Sequence, residues 1–383
     1  MQKKQANLPL PAVVLMGPPH SGKSVLAVSL SRALRRRRVP HYLFRASPDG
    51  EGNWFAEGPP EIVRDLRLRY KHEYTETFVQ RMAAYIRRRE VPLLIDPGGK
   101  PTPQQVAALF AQATHAILLL PEGTERRFWE SILARYRLPL LADLLSRLEG
   151  ESSLQPAPTP EAPLRGVLTG LVRGHEAQGP PFEALVARLA DLFSRFGAAQ
   201  RARHLALAPA EVVDAEAVLR RIAPERYRWL PADLQALVQR LKRGVPVALY
   251  GPSPVWVVAT VALWALPAPM YVFDVRYGWL KAPEIRRGPA SLPLEVQAQP
   301  QASDWLRLRF QFSLEESVVN YAPQIVLPLP EPKGRGIILD GRLPLWLWAG
   351  LARFYAPLTR ALVVYHPTAG THVRLPLPPD MLQ

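Results

Sequence analysis

The chain has 383 residues, no cysteine, and 48 Lys and Arg against 33 Asp and Glu, a formal net charge of +15 at pH 7. Without cysteine there is no disulfide framework, no thiolate zinc site and no thiol nucleophile. The length suits two or three domains with cores of their own; the excess of positive charge, mostly arginine, either draws an anionic partner or is a matter of composition.

The leading segment MQKKQANLPLP is basic but has no long apolar run with a small-residue cleavage site, so no secretory signal is expected and the expected location is cytoplasmic. Residues 12–16, AVVLM, read as a strand, and 25–34 read as a helix. Between them stands GPPHSGKS, residues 17–24, which fits the G-x-x-x-x-G-K-[ST] phosphate-binding loop. Phosphate needs several N–H donors at close range. Gly17 and Gly22 let the main chain curl around it, with His20 and Ser21 between them, and the helix N-terminus adds its dipole. In this pattern Lys23 reaches the β and γ oxygens and the Ser24 hydroxyl ligates Mg²⁺. The expected ligand is ATP with Mg²⁺. The arginines 35–38 read as the solvated, dipole-compensating end of the helix.

Residues 41–46 read as a second strand that runs into SPDGEGNWF. Asp49, Glu51 and Trp54 then follow a strand at its carboxyl edge, where ligands collect in parallel sheets. Asp49 and Glu51 are candidates for a general base or a substrate-holding group, and equally fit an exposed turn. A helix is expected over 75–89 and a strand over 91–96, ending on Asp96 before Pro97-Gly98-Gly99. A carboxylate at such a strand end holds Mg²⁺ beside the phosphate loop; the alternative is a helix cap or turn. Helix 103–112, strand 115–120 and helix 125–136 follow. ESSLQPAPTPEAP, 151–163, reads as a flexible insertion, and a last strand and helix run to about 196. This alternation predicts an α/β domain over 1–200 built on a parallel sheet.

Residues 254–273 contain no charge, but Pro267 and Pro269 divide them, so they read as a buried helix and a buried strand rather than a membrane span. They belong to an internal repeat. VPVALYGPSPVWVVATVALWALPAPMYVFDVRYG matches GRGIILDGRLPLWLWAGLARFYAPLTRALVVYHPTAG, with Gly251, Pro254 and Trp256 corresponding to Gly341, Pro344 and Trp346. Each copy reads strand, G-x-x-P turn, apolar helix, strand and glycine turn, which is a βαβ unit with the proline in the first helical turn. A helix N-terminus behind a glycine turn suits an anion. Arg342 stands in that turn in the second copy, and Asp274 and Arg276 end the later strand of the first; the alternative is a packing scaffold with decorated loops.

The second copy, IILDGRLPLWLWAGL followed by VVYHPTAG, resembles the small CRISPR-associated ring nucleases of the third Csx type, whose pattern runs G-R-G-P-I-W-L, a helix, then Y-D-P-R-L-G. The first copy is similar through Gly251, Pro254, Trp256, Asp274, Arg276 and Gly278. The resemblance covers roughly residues 203–383, including 306–330 as leading strand and linker. The N-terminal part resembles the P-loop NTPase or kinase-like domain of long members, through GPPHSGKS, DGEGNW and DPGG. It implies a type III CRISPR protein with tandem ring-nuclease-like α/β domains over 201–295 and 296–383. These would bind a cyclic oligoadenylate, chiefly cyclic tetra-adenylate, between paired domains, in a homo-oligomer of tandem units. The family cleaves that ring with a metal, Mn²⁺ or Mg²⁺. Residue by residue, Gly341 and Arg342 match the family's G-R, Asp274 and Arg276 its D-x-R, and His366 and Thr368 replace its Asp and Arg. The helix-end His of the family is Leu266 or Ala356 here.

Three functions stay open at this stage. One is an ATPase or kinase coupled to ring binding and degradation. Another is a nucleotide-gated sensor of the ring without nuclease activity. The last is a small-molecule or nucleotide kinase unrelated to CRISPR, with the C-terminal half serving oligomerisation. RNA binding ranks below these, because the aromatic residues fall at helical spacing rather than between arginines.

Overall fold

Runs of uninterrupted apolar residues, AVVLM, LLID and HAILLLP, are what strands buried on both faces look like, and all three are central strands here. The structure, a computed structural model, describes residues 9–46, 75–98, 102, 107–301, 304–312, 320–366 and 370–381. Asp49, Glu51 and Trp54 lie outside the described residues, as do Thr368 and positions 103–106 of the expected helix 103–112. The chain divides into two units, Met1–Ala202 and Arg203–Gln383.

The first unit is built on a seven-stranded sheet. Its strands are β1 (Ala12–Met16), β2 (Tyr42–Arg45), β3 (Leu93–Asp96), β4 (His115–Pro121), β5 (Leu140–Arg147), β6 (Ser153–Leu154) and β7 (Leu164–Thr169), in the order β2-β3-β1-β4-β5-β7-β6. Every pairing is parallel except that of β6 with β7. Parallel neighbours require crossovers, and the helices α1 (Lys23–Arg36), α2 (Glu76–Arg88), α3 (Arg127–Tyr136) and α4 (Pro180–Ala206) fall between strands or after the last. Leu26, Leu30 and Leu34 of α1 share a core with Leu185, Leu189 and Phe193 of α4 and with Val13, Leu15 and Ile117 of the sheet. Each such side chain contributes roughly 1.5–3 kcal/mol by leaving water. Thr75 caps α2 by accepting from the Phe78 N–H at 3.2 Å. The stretch expected as a flexible insertion is tied into the fold: it carries β6, and Arg188 donates to the carbonyls of Pro160 and Ala162.

The second unit has strands β8 (Glu211–Asp214), β9 (Val247–Tyr250), β10 (Met270–Asp274), β11 (Gly278–Lys281), β12 (Glu284–Arg287), β13 (Leu294–Gln301), β14 (Trp305–Phe312), β15 (Gln324–Leu327), β16 (Gly336–Gly341), β17 (Leu362–His366) and β18 (Thr371–Arg374). Its helices are α5 (Ala215–Ile222), α6 (Asp233–Val238), α7 (Val255–Ala265) and α8 (Leu345–Tyr355). The repeat is visible in the topology. One sheet runs β11-β10-β9-β8 and the other β13-β14-β16-β17-β18, and in each a parallel βαβ unit is followed by an antiparallel strand. The two copies share one continuous core that includes Trp256 of α7 and Trp346 and Trp348 of α8, all fully buried. A further parallel pair, β12 with β15, joins chain segments 40 positions apart in register. Pro254 and Pro344 are extended N-cap residues rather than members of the first turn, so the helices start one residue later than the sequence pattern suggests. Among the described residues no helix is long and apolar enough to cross a membrane.

Candidate functional site

The phosphate-loop pattern stands at the carboxyl end of β1, between that strand and α1. Gly17 has φ 150° and Gly22 φ 87°, both in the region that side chains avoid. A Cβ on Gly17 would come within 2.1 Å of the Leu119 carbonyl oxygen on β4, so only glycine lets the loop start this close to the sheet. His20 also takes a left-handed conformation, φ 64°. The loop ends on Gly22 as N-cap, with no side-chain cap and no acidic residue in the first turn of α1. The N–H groups of that turn are therefore offered to the loop's interior, with the positive end of the helix dipole behind them.

Lys23 is 5% exposed, and its Nζ donates to the Gly17 carbonyl at 2.7 Å and the Pro18 carbonyl at 2.6 Å. Burial pushes its pKa down to about 8, partly opposed by the negative charge of Asp96. Asp96 ends β3, the strand directly beside β1, and is fully buried. Its Oδ1 accepts from the Gly98 N–H at 3.2 Å, while its Oδ2, like the Ser21 Oγ, has no hydrogen-bond partner among the described residues. Leaving such buried atoms unsatisfied costs about 1–3 kcal/mol each, more for a charge. One strand edge thus holds a desolvated ammonium, a carboxylate oxygen and a hydroxyl that lack full partners. That donor set fits a phosphate chain with Mg²⁺, the Ser24 hydroxyl and Asp96 carboxylate being the groups that would hold the metal. Among the described residues there is no cluster of three or more His, Asp or Glu suited to a metal held by protein alone.

Two features of this site were not singled out from the sequence. Arg45 ends β2 directly opposite Asp96 in the sheet register, and its side chain is buried at the same edge. A charged residue closing the apolar run YLF was the available signal. The other is the segment after β7, which is fastened along α1. Leu171 packs on Gly22, the Ala177 N–H donates to Ser29 Oγ at 2.9 Å, and Glu176 pairs with Arg32 and Arg36.

In the second unit the expected anion-binding residues fall on two different sheet edges. Asp274 and Arg276 are brought together, but onto each other: Arg276 Nη2 reaches Asp274 Oδ2 at 2.8 Å, and its Nε and backbone N–H both donate to Oδ1. Both side chains are nine-tenths buried, so the pair is turned away from solvent. Gly341 ends β16 and Arg342 follows it, and His366 ends the adjacent parallel strand β17, which places these three at one carboxyl edge. Gly341 has φ 144°, and a Cβ there would meet the Phe310 carbonyl oxygen at 2.5 Å. The pair between Asp340 and Arg307, at 2.7 Å, joins positions 33 apart and had no sequence signal.

No family model and no curated protein matches the chain. Among solved structures it is similar to chloroplast FtsY from Physcomitrella patens, at 11% identity and a TM-score of 0.27, over 48% of this chain and 66% of that one. A likeness of that size carries no argument.

Proposed function

We propose that the first unit binds ATP with Mg²⁺ in the loop 17–24 and cleaves or transfers its γ-phosphate. The observation that carries this reading is the buried trio at the ends of β1 and β3: Lys23 on the loop's own carbonyls, with Asp96 Oδ2 and Ser21 Oγ lacking a partner among the described residues. The main-chain N–H groups of 17–24 would cradle the phosphates, and Lys23 would exchange two carbonyls for phosphate oxygens. Asp96 and Ser24 would hold the metal. Bound Mg²⁺ supplies charge neutralisation across the β and γ oxygens. Arg45, buried opposite Asp96 in the sheet register, would add a positive charge to that edge. Substituting Lys23→Ala should abolish ATP turnover while leaving the fold intact; unchanged turnover would remove the site from consideration.

We further propose that the second unit binds cyclic oligoadenylate and that this tunes the ATP site. Support comes from the resemblance of residues 203–383 and from the duplicated glycine turns, each leading into a helix whose N-terminus has no side-chain cap. The mutual Asp274–Arg276 pair favours binding without cleavage, because neither group is at liberty to act as base or to clamp a phosphate until the pair opens. ATP hydrolysis measured with and without cyclic tetra-adenylate tests the coupling, and no change in rate would sink it. Labelled ring incubated with Mn²⁺ or Mg²⁺ tests cleavage by the appearance of linear product.

A further inference from the structure

The five-stranded sheet of the second unit has two unlike faces. Strand alternation sends Leu306, Leu308 and Phe310 of β14, with Ile337 and Leu339 of β16, into the core. Their neighbours point the other way, and there, around the apolar pair Ile338 and Val363, the residues are polar, cationic and aromatic. Arg309 stands opposite Gln297 on one side and Asp340 on the other, and Arg307 opposite Gln299. Tyr365 stands opposite His372, with ring centroids 5.2 Å apart. Arg307 lies over the Tyr365 ring, its Cζ 5.0 Å from the centroid, and is held there by Asp340 Oδ2. His372, Arg374, Gln297 and Gln299 are exposed, and Arg309 and Tyr365 partly so.

The first copy of the repeat shows the alternative. At the equivalent positions its sheet carries Tyr250, Phe273 and Trp279, and His204 of the same unit lies against them. His204, buried, bonds the Tyr250 hydroxyl at 2.9 Å, stands 4.3 Å from the Phe273 ring, and accepts the Trp279 indole N–H on its carbonyl. The second copy keeps rings at two of those three positions but surrounds them with arginine and glutamine, and leaves them in contact with water.

We propose that this open sheet face binds single-stranded nucleic acid. Bases would stack on Tyr365, His372 and the planar Arg307 guanidinium, and phosphates would meet Arg309 and Arg374. Asp340 neutralises Arg307, so Arg307 serves as a fixed stacking plane, while Arg309 and Arg374 carry the surplus charge. A pleated surface cannot enter a duplex groove in this way, whereas unpaired bases present a π-face to any exposed ring. The chain's +15 charge adds long-range attraction for a polyanion. This face is distinct from the carboxyl-edge turns assigned above to a cyclic ligand.

Fluorescence anisotropy of the full chain, with labelled oligouridylate and oligothymidylate of about 12 nucleotides and a duplex of the same length, tests the proposal. Both single strands should bind, and the duplex at least about tenfold more weakly. A preference between the two sugars would assign the source as RNA or DNA, either of which supports the claim. The double variant R309A/R374A should weaken binding about tenfold and lower the slope of log affinity against log salt by about 1.4, since each single-strand phosphate contact contributes about 0.7. H372A should weaken binding at least about fivefold with the slope unchanged, the mark of stacking rather than charge. R127A/R220A, which removes the same charge from two exposed positions outside the sheet, should bind within about twofold of the parent. Absence of single-strand binding, equal binding of the duplex, or an equal loss in R127A/R220A would each overturn the proposal.

Discussion

Lys23 carries a charge that the folded protein disfavours. Its pKa falls from 10.5 to about 8 on burial, so between those values the unfolded chain holds the extra proton. Stability therefore rises with pH across that window, by about 3 kcal/mol in full, and K23M should lack the rise when urea unfolding is followed from pH 7 to 10. The same shift has a counterpart in binding. Phosphate favours the charged amine, so ATP should take up a proton on binding near pH 8.5 and lose affinity above it, which calorimetry in buffers of different ionisation enthalpy reads directly. His41 reports on the opposite limb. Burial, with the nearby Arg35 charge, lowers its pKa to about 4, while its ring nitrogens bond Ser31 Oγ and the Val39 carbonyl. Stability should fall as pH drops from 6.5 towards 4, and H41Q should flatten that fall. At Gly17 the constraint is steric. G17A sets a methyl against the β4 backbone and should cost at least about 2 kcal/mol and abolish ATP binding, whereas alanine at Gly123, where a Cβ meets nothing within 4 Å, should cost less and spare binding.

At the scale of elements, what could be read in advance was local chemistry. The loop at 17–24 and the strand ending on Asp96 are legible because each is an apolar run that ends at a distinctive polar or glycine-rich turn. The repeat was legible because glycine, proline and tryptophan recur at matched spacing. Strand β5 was not, because LLADLLSR comes only three residues after a helix and has no clean alternation. Strand β6 was hidden inside a proline-rich stretch, its pairing with β7 allowed by Gly166, where a Cβ would meet the Ser153 carbonyl oxygen at 2.1 Å. The Asp274–Arg276 closure was invisible because spacing shows proximity, not whether two groups turn towards each other or outward. The interleaving of arginine with aromatic rings on the five-stranded sheet was missed because the two residue types come from different strands. Helix α7 shows tertiary context completing an element that lacks its own cap. With no basic residue in its last turn, it relies on Arg243, which donates to the Leu263, Trp264 and Leu266 carbonyls and pairs with Asp380. R243A should cost about 1–3 kcal/mol in urea unfolding, against less than about 0.5 for R195A, whose partner Asp191 is as exposed as itself.

At the scale of the molecule, the chain joins a mostly parallel α/β sheet to a second unit in which two copies of one βαβ pattern share a core. A fused duplication of this kind retains two sheet edges and two reverse faces while sequence drift changes each separately. Here one reverse face is roofed by aromatic packing and the other is left polar; one edge has closed its Asp–Arg pair and the other keeps Gly341 and Arg342. The first unit makes a simpler demand, that its phosphate-loop pattern bind what its chemistry fits. Calorimetric titration of ATP and Mg²⁺ into the full chain and into K23M, both shown folded by circular dichroism, examines that demand most directly. The parent should bind one nucleotide with proton uptake near pH 8.5, and K23M should bind at least about 100-fold more weakly without uptake, as expected for loss of a charge-assisted contact to phosphate. Equal affinity in the two proteins, or no binding by the parent, would contradict the account.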